Sequence, residues 1–313
     1  MKIGIDIYGG DFAPEATIDG SIMALEELLA DEQLVLIGNE NVIRERCISK
    51  GVDPSRFEII HTDEWIEMSE HPAKAFTSKP KSSIGLGFGM LQKGYLDGFA
   101  SAGNTGAMLV AAMYTIKSIS GVIRPVISAS IPNGSDKPTL ILDVGINPDA
   151  KPEVLYQYAI LGSLYSKYVF HVDAPRVALL NIGSEEEKGN LVTKAAFQLM
   201  RESTEFNFVG NVEGHDLFSA DKADVIVCDG FVGNVVIKEA EALYGLLQKF
   251  KINHPFFEMM NFENHGGAPI LGVNGTAIIG HGVSNDKAIK SMILCVRDII
   301  KSELTQRIKE AFC

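Results

Sequence analysis

The feature that most constrains this chain is a rhythm. Short apolar runs rich in β-branched residues (KIGIDI, QLVLIG, FEIIHT, GFASA, TLILDV, RVALLNIG, FNFVG and DVIVCDG) each lead into a loop and usually a stretch of helix length. Runs buried on both faces lose the polar alternation of a half-exposed strand. The pattern predicts an α/β fold, a doubly wound and mainly parallel sheet flanked by helices. At 313 residues the chain can bury a full core as one large domain or two closely merged ones. No repeat, low-complexity tract or Pro/Gly-rich linker divides it, so a single domain over 1–313 is expected. From Ser284 a helix is predicted. Ile289, Met292, Ile293, Val296, Ile299, Ile300, Leu304 and Ile308 share one face, and Ser284 or Asn285 is the candidate cap. That stripe is expected to pack on the sheet or on a second subunit.

Charge narrows the partners. Lys and Arg total 28 against 40 Asp and Glu, a formal net charge of -12, which disfavours nucleic acid and anionic lipid over the surface as a whole. Cys47, Cys228, Cys295 and Cys313 show no CxxC spacing, so neither a disulfide framework nor a zinc ribbon is indicated, and a reducing cytoplasm fits. MKIGIDIYGGD enters a strand pattern directly, and no run reaches the roughly 18 apolar residues of a membrane span. A soluble, unprocessed protein is expected.

Five strands end in loops of one kind: DIYGGDFAP (6–14), SAGNTG (101–106), DVGIN (143–147), NIGSEEEKG (181–189) and DGFVGN (229–234). In an open α/β sheet the ligand crevice lies outside the carboxyl ends of the strands, so these loops are expected to converge on one site. Glycine lets backbone N–H groups approach an anion, and a following helix adds its positive end, which makes phosphate a natural occupant. Asn104, Asn147, Asn181 and Asn234 offer neutral amides, and Lys188 a movable cation. Any one such loop alone reads more simply as a turn, because Gly and Asn are common turn residues.

Other motifs are missing. GLGFG (85–89) lacks the last glycine of a dinucleotide fingerprint, Met90 standing there, and reads as a helix surface packed close to a neighbour. There is no GxxxxGK[ST], HExxH or GxSxG. His281 lies in a loop that could reach the site, or is structural. Cys228 heads the DGFVGN loop, where a buried strand-end thiol is the simpler reading.

Beyond these single loops, GGDFAP, SAGNTGA, RPVISASIP, DVGINPDAKPE, LYQYAILGSLYS, PRVALLNIGSEEEKGN, DGFVGNVVIK and GGAPILGVNG…IIGHGVSN follow one another nearly end to end. In that order they closely resemble the acyl-ACP:phosphate acyltransferases, the PlsX family of bacterial phospholipid synthesis. The resemblance implies a fold similar to phosphotransacetylases and isopropylmalate dehydrogenases, a homodimer, and transfer of a fatty acyl group from acyl carrier protein to inorganic phosphate. The acyl phosphate would feed glycerol-3-phosphate acylation, with a membrane acyltransferase as a further partner and a seat at the inner face of the membrane. No cofactor or metal is needed, because phosphate is itself the nucleophile.

On this reading Gly9, Gly10, Gly103 and Gly233, with Asn104, Thr105 and Asn234, are candidate phosphate and oxyanion donors. Lys188, and more weakly Lys238, offset charge. Asp11 and Asp143 orient the donors or cap a turn, and Asn147 and Asn181 complete the phosphate-binding set. Lys74, Lys79 and Lys81 in KAFTSKPK would dock the acidic carrier protein, or form a solvated loop. A variable arm at about 245–265 gathers Phe256, Phe257, Met259, Met260 and Phe262, suited to acyl-chain entry, shallow membrane contact or a dimer interface. The alternatives are a phosphotransacetylase-like acyl-CoA:phosphate transferase and an inactive acyl-binding or membrane adaptor.

Overall fold

In a computed structural model, residues 1–312 are described, the side chain of Phe262 excepted. Cys313 and the Phe262 side chain of the arm therefore lie outside the described residues. The strands are β1 (Lys2–Asp6), β2 (Gln33–Gly38), β3 (Glu58–His61), β4 (Gly98–Ser101), β5 (Val126–Ile131), β6 (Thr139–Leu142), β7 (Arg176–Leu180), β8 (Asn207–Val212), β9 (Val225–Val227), β10 (Ala268–Leu271) and β11 (Thr276–Ile279). The helices are α1 (Glu15–Ala24), α2 (Glu40–Ser49), α3 (Pro72–Ser78), α4 (Ser83–Gln92), α5 (Thr105–Ala111), α6 (Pro152–Tyr168), α7 (Leu191–Arg201), α8 (Gly230–Lys249), α9 (Pro255–Glu258), α10 (Asp286–Lys301) and α11 (Leu304–Phe312). They form two compact units, one of Met1–Ser118 with Phe262–Lys301 and the other of Ile119–Asn261 with the residues from Ser302.

In the first unit the strands run β3-β2-β1-β4-β11-β10, parallel except for the antiparallel pair β10/β11. Helices cover both faces. A Cβ on Gly98 would meet Val296 of α10 at 2.5 Å, whereas Gly87 of α4 sits on the ring of Phe99, the next residue, with 2.2 Å left for a Cβ. Adjacent strand residues point to opposite sides, so α10 and α4 lie on opposite faces. This also shows why GLGFG is glycine-rich, since Gly87 gives a helix room to touch an aromatic ring. β2 and β3 lie to one side of β1 and β4 to the other, so the strand order reverses at β1/β4, the position where open α/β sheets form a ligand crevice.

In the second unit the order is β5-β6-β9-β7-β8, again parallel except for β5/β6. The carboxyl ends of β6, β9 and β7 stand side by side, and they carry DVGIN, DGFVGN and NIGSEEEKG. α6 packs on β6 and β9 through Gly162, where a Cβ would lie 2.5 Å from Val225.

All eight predicted runs are strands. The predicted C-terminal helix is two helices: Glu303 takes a positive φ of 54° between α10 and α11. Ile289 through Ile299 of the stripe are buried on the first unit, while Leu304 and Ile308 are buried in the second, where α11 packs on α6. Asn285 is the cap, its Oδ1 accepting the Ala288 N–H at 3.0 Å. Among the described residues no helix is long and apolar enough to cross a membrane.

Candidate active site

In the first unit the switch point is organised by a carboxylate at the end of β1. Asp6 is buried, accepting the Tyr8 N–H at 3.0 Å and the Ser101 hydroxyl at 2.7 Å. Ser101 Oγ in turn accepts the Gly103 N–H at 2.9 Å. The GGD loop lies directly on this linkage. A Cβ on Gly9 would stand 2.7 Å from both Gly103 N and Ser101 Oγ, so only glycine fits. Gly10 has φ of 108°, and the next N–H, that of Asp11, donates to Gly282 O at 2.7 Å. The N–H groups of Gly9 and Gly10 meet no acceptor among the described residues, and the Asp11 side chain and Thr105 are exposed.

Asn104 has a different role from the one expected. Its Oδ1 caps α5 through the Ala107 N–H at 3.0 Å, and its Nδ2 lies against the carbonyls of Glu67, Met68 and Glu70 at 3.1, 3.2 and 2.9 Å. The amide therefore holds segment 67–70 against the start of α5, and the Gly103 N–H is likewise occupied within the loop.

Burial pushes the Asp6 carboxyl up from 3.8, opposed by hydrogen bonds from Ser83, Ser101 and Tyr8. Since the folded value exceeds the unfolded one, the protonated carboxyl's contribution to stability is complete below 3.8 and is lost as pH rises through the folded value. Urea unfolding of wild type and Asp6→Asn from about pH 4 upward should show wild type losing stability relative to the variant as pH rises. A difference independent of pH would contradict this assignment.

In the second unit Asp143 ends β6 wholly buried. Its Oδ1 accepts the N–H groups of Gly145 and Ile146 at 3.0 and 3.1 Å, and its Oδ2 accepts N and Nδ2 of Asn147 at 2.7 and 3.1 Å. Desolvation raises this carboxyl while the same N–H groups oppose the rise. Asn147 Nδ2 also reaches Pro125 O at 2.9 Å, so Asn147 fixes the loop rather than facing outward. The loop after β9 locks on from the other side: Gly230 N donates to Asn147 O at 2.9 Å, and Asp229 caps α8 through the Val232 N–H. A Cβ on Gly233 would fall 1.8 Å from Asp143 O. Gly233's own N–H is bonded within α8 to Asp229 O. Asn234 rests on Gly145 and donates to Val144 O at 3.2 Å. Burial raises the Cys228 thiol well above its usual range, which leaves it a neutral strand-end group.

The loop after β7 is held by side chains as well. Asn181 Nδ2 donates to Lys188 O at 3.2 Å and to Asn211 Oδ1 at 3.1 Å, and Asn211 Nδ2 to Glu185 O at 2.9 Å. Within this frame the Lys188 side chain is exposed and its stem lies over Gly183. Lys238 is exposed one turn beyond Asn234 on α8. Of the docking lysines, Lys74 and Lys81 are exposed, whereas Lys79 pairs with Glu70 at 2.6 Å and donates to Trp65 O. Asp6, Ser101 and Asn211 were not singled out from the sequence. The signal for Asp6 was a carboxylate closing an apolar strand, the pattern that marked Asp143.

Fold and loops thus define an α/β protein whose strand ends carry two glycine-lined, carboxylate-braced loop clusters. The family model described as "Fatty acid synthesis protein" matches residues 1–307. A relative named phosphate acyltransferase from Dictyoglomus turgidum is 42% identical over an alignment of 330 residues, spanning 99% of this chain and 97% of its own. The chain belongs to the phosphate acyltransferase (PlsX) family. In fold it is similar to a phosphotransacetylase from Streptococcus pyogenes (TM-score 0.69, 17% identity, 96% of this chain and 94% of that one). It is also similar to the EutD phosphotransacetylase from Staphylococcus aureus (TM-score 0.65, 17% identity, the same coverage).

Proposed function

We propose that this protein transfers a fatty acyl group from the thiol of acyl carrier protein to inorganic phosphate, the whole chain serving as one acyltransferase domain. A phosphate oxygen attacks the thioester carbonyl, a C–O bond forms, the oxyanion collapses, and the C–S bond breaks to release the carrier thiolate, which takes a proton. The acyl phosphate is then available for glycerol-3-phosphate acylation. The observation that carries this reading is the match along nearly the whole chain to relatives named phosphate acyltransferase.

The candidate residues take the following roles in this reading. The N–H groups of Gly9 and Gly10, with that of Thr105 at the start of α5, are the phosphate donors. Lys188 offsets the charge that develops on the oxyanion, with Asn234 as a neutral donor and Lys238 as the second cation. Asp6, Asp143, Asn104, Asn147 and Asn181 position these loops, Asp11 holds the GGD turn, and Gly103 and Gly233 permit their close packing. Lys74 and Lys81 are the local positive charge that an acidic carrier needs on a chain of -12. α8 leaves Phe231, Val235, Leu243, Leu246 and Phe250 exposed, an apolar face we assign to a homodimer. A cytoplasmic location beside the membrane and its acyltransferase completes the reading.

Release of carrier thiol from a long-chain acyl carrier thioester should require inorganic phosphate and saturate with it. Thiol release at the same rate without phosphate would overturn the reading. Equal turnover of short acyl-CoA would move the assignment to phosphotransacetylase-like chemistry.

A further inference from the structure

Transfer of an acyl group from a thiol to hydrogen phosphate moves a proton as well. The phosphate gives one up and the departing sulfur gains one, so the step is balanced but the proton must cross the reacting centre. A thiol like that of the carrier holds its proton up to about 8.5, whereas a phosphate group loses its second proton nearer neutrality. Phosphate is therefore the better leaving group from the tetrahedral oxyanion. Unless sulfur is protonated as it departs, collapse returns the starting thioester.

The segment after β11 stands where such a proton carrier is needed. The β11/β4 pairing runs one residue beyond β11, the Gly280 N–H donating to Ser101 O at 2.9 Å. A Cβ on Gly280 would lie 2.9 Å from Met292 Sδ of α10, so the next residue, His281, falls on the opposite side of the sheet, the side on which Ser101 meets Asp6. Gly282 then closes on the GGD loop. Its carbonyl accepts the Asp11 N–H at 2.7 Å and lies 3.1 Å from where a Cβ on Gly10 would stand. His281, half-buried, is thus bonded to the residue that touches Gly10 and Asp11. With phosphate on the Gly9 and Gly10 N–H groups, the thioester carbon must meet the attacking oxygen and its sulfur is one bond further, within a side chain's reach of this position.

The neighbouring titratable groups are less suited. Asp6 is buried beneath the Tyr8 N–H and the Ser101 hydroxyl. Asp11 is exposed, and its carboxylate repels a dianion. The Tyr8 hydroxyl accepts the Asn39 N–H at 3.3 Å, and burial pushes it above its usual range. Imidazole is the side chain that gives and takes a proton near neutral pH in its ordinary state.

We propose that His281 is the proton carrier of the transfer: its neutral imidazole takes the proton of hydrogen phosphate as the C–O bond forms and passes it to sulfur as the C–S bond breaks. Acyl phosphate and carrier thiol leave, and the imidazole is neutral again. This rests on the acyl-transfer reading and adds to it the group that decides which way the oxyanion collapses.

A comparison of leaving groups tests it. Wild type and His281→Gln, whose amide keeps polar contacts but cannot take up a proton, are given inorganic phosphate and two thioesters of one long-chain acid. One is the carrier thioester and the other the thioester of 4-nitrothiophenol, whose thiolate departs without a proton. Acyl phosphate is followed with protein in excess. The variant should lose about 10²-fold or more in rate with the carrier thioester, and the loss should shrink by about tenfold or more with the aryl thioester. Urea unfolding checks that the variant folds, and His281→Asn is read in the same way if it does not. The proposal is overturned if the variant matches wild type on the carrier thioester, or if both thioesters lose the same factor, the mark of a purely structural residue. Failure of the acyl-transfer reading would show separately, as a wild type that makes no acyl phosphate from either thioester.

Discussion

Gly233→Ala should destabilise the protein by about 3–5 kcal/mol, at the upper end of what a single added methyl does. The new Cβ would stand 1.8 Å from the Asp143 carbonyl oxygen and 2.9 Å from Cys228 Sγ. Neither neighbour can yield. Asp143 is buried, its carboxylate binds the next turn of the loop, and its own N–H donates to Cys228 O at 2.9 Å. Relief requires the first turn of α8 to lift from the end of β6, which breaks the Gly230 to Asn147 hydrogen bond. Gly245, further along the same helix, is the control: a Cβ there meets nothing within 4 Å. Gly245→Ala should stabilise by about 0.5–1 kcal/mol, the ordinary gain in a helix interior. Urea denaturation of both variants checks the pair. Equal stabilities would show that α8 and β6 pack more loosely than described.

Lys188→Ala should lower kcat by about 10²–10³-fold, the cost of removing one donor that stabilises developing negative charge. Its stability should stay near wild type, because the side chain is exposed and the loop is held instead by Asn181 and Asn211. Lys188→Arg keeps the charge but not the compact ammonium, and should recover part of the loss. The diagnostic is the split between parameters. A cation acting mainly in the transition state lowers kcat with little change in the KM for phosphate, whereas one that only collects phosphate raises KM. An alanine variant with wild-type kcat and KM would remove Lys188 from the site.

Much of this architecture was legible in the sequence because strands buried on both faces are written as near-continuous apolar runs. β5, β10 and β11 were not read as strands in that rhythm. β5 is VISASI, whose serines dilute the apolar signal, and β5 and β10 each take part in an antiparallel pair rather than a helix-linked repeat. The break between α10 and α11 was hidden because Leu304 and Ile308 continue the apolar spacing of Ile299 across a backbone turn at Glu303.

The loops were legible through their glycines, but the direction of each amide was not. Asn104, Asn147 and Asn181 read as ligand donors by composition, yet all three hold backbone of their own unit. An asparagine that offers its amide to a ligand and one that fixes a turn have the same local sequence. The difference lies in which carbonyls tertiary packing brings within reach, and for Asn104 those belong to residues 67–70. Asp6 shows the converse: a strand-end carboxylate acts through Ser101, 95 positions away, which no local pattern encodes.

The central claim is that phosphate is the nucleophile, and isotopic labelling tests it directly. Long-chain acyl carrier thioester is incubated with the protein and fully ¹⁸O-labelled inorganic phosphate, and the products are read by mass spectrometry. The account predicts an acyl phosphate that retains all of the phosphate label, formed in equal amount to the released carrier thiol. Thiol release accompanied by unlabelled free fatty acid, with no acyl phosphate at the earliest times, would show water as the nucleophile and contradict it.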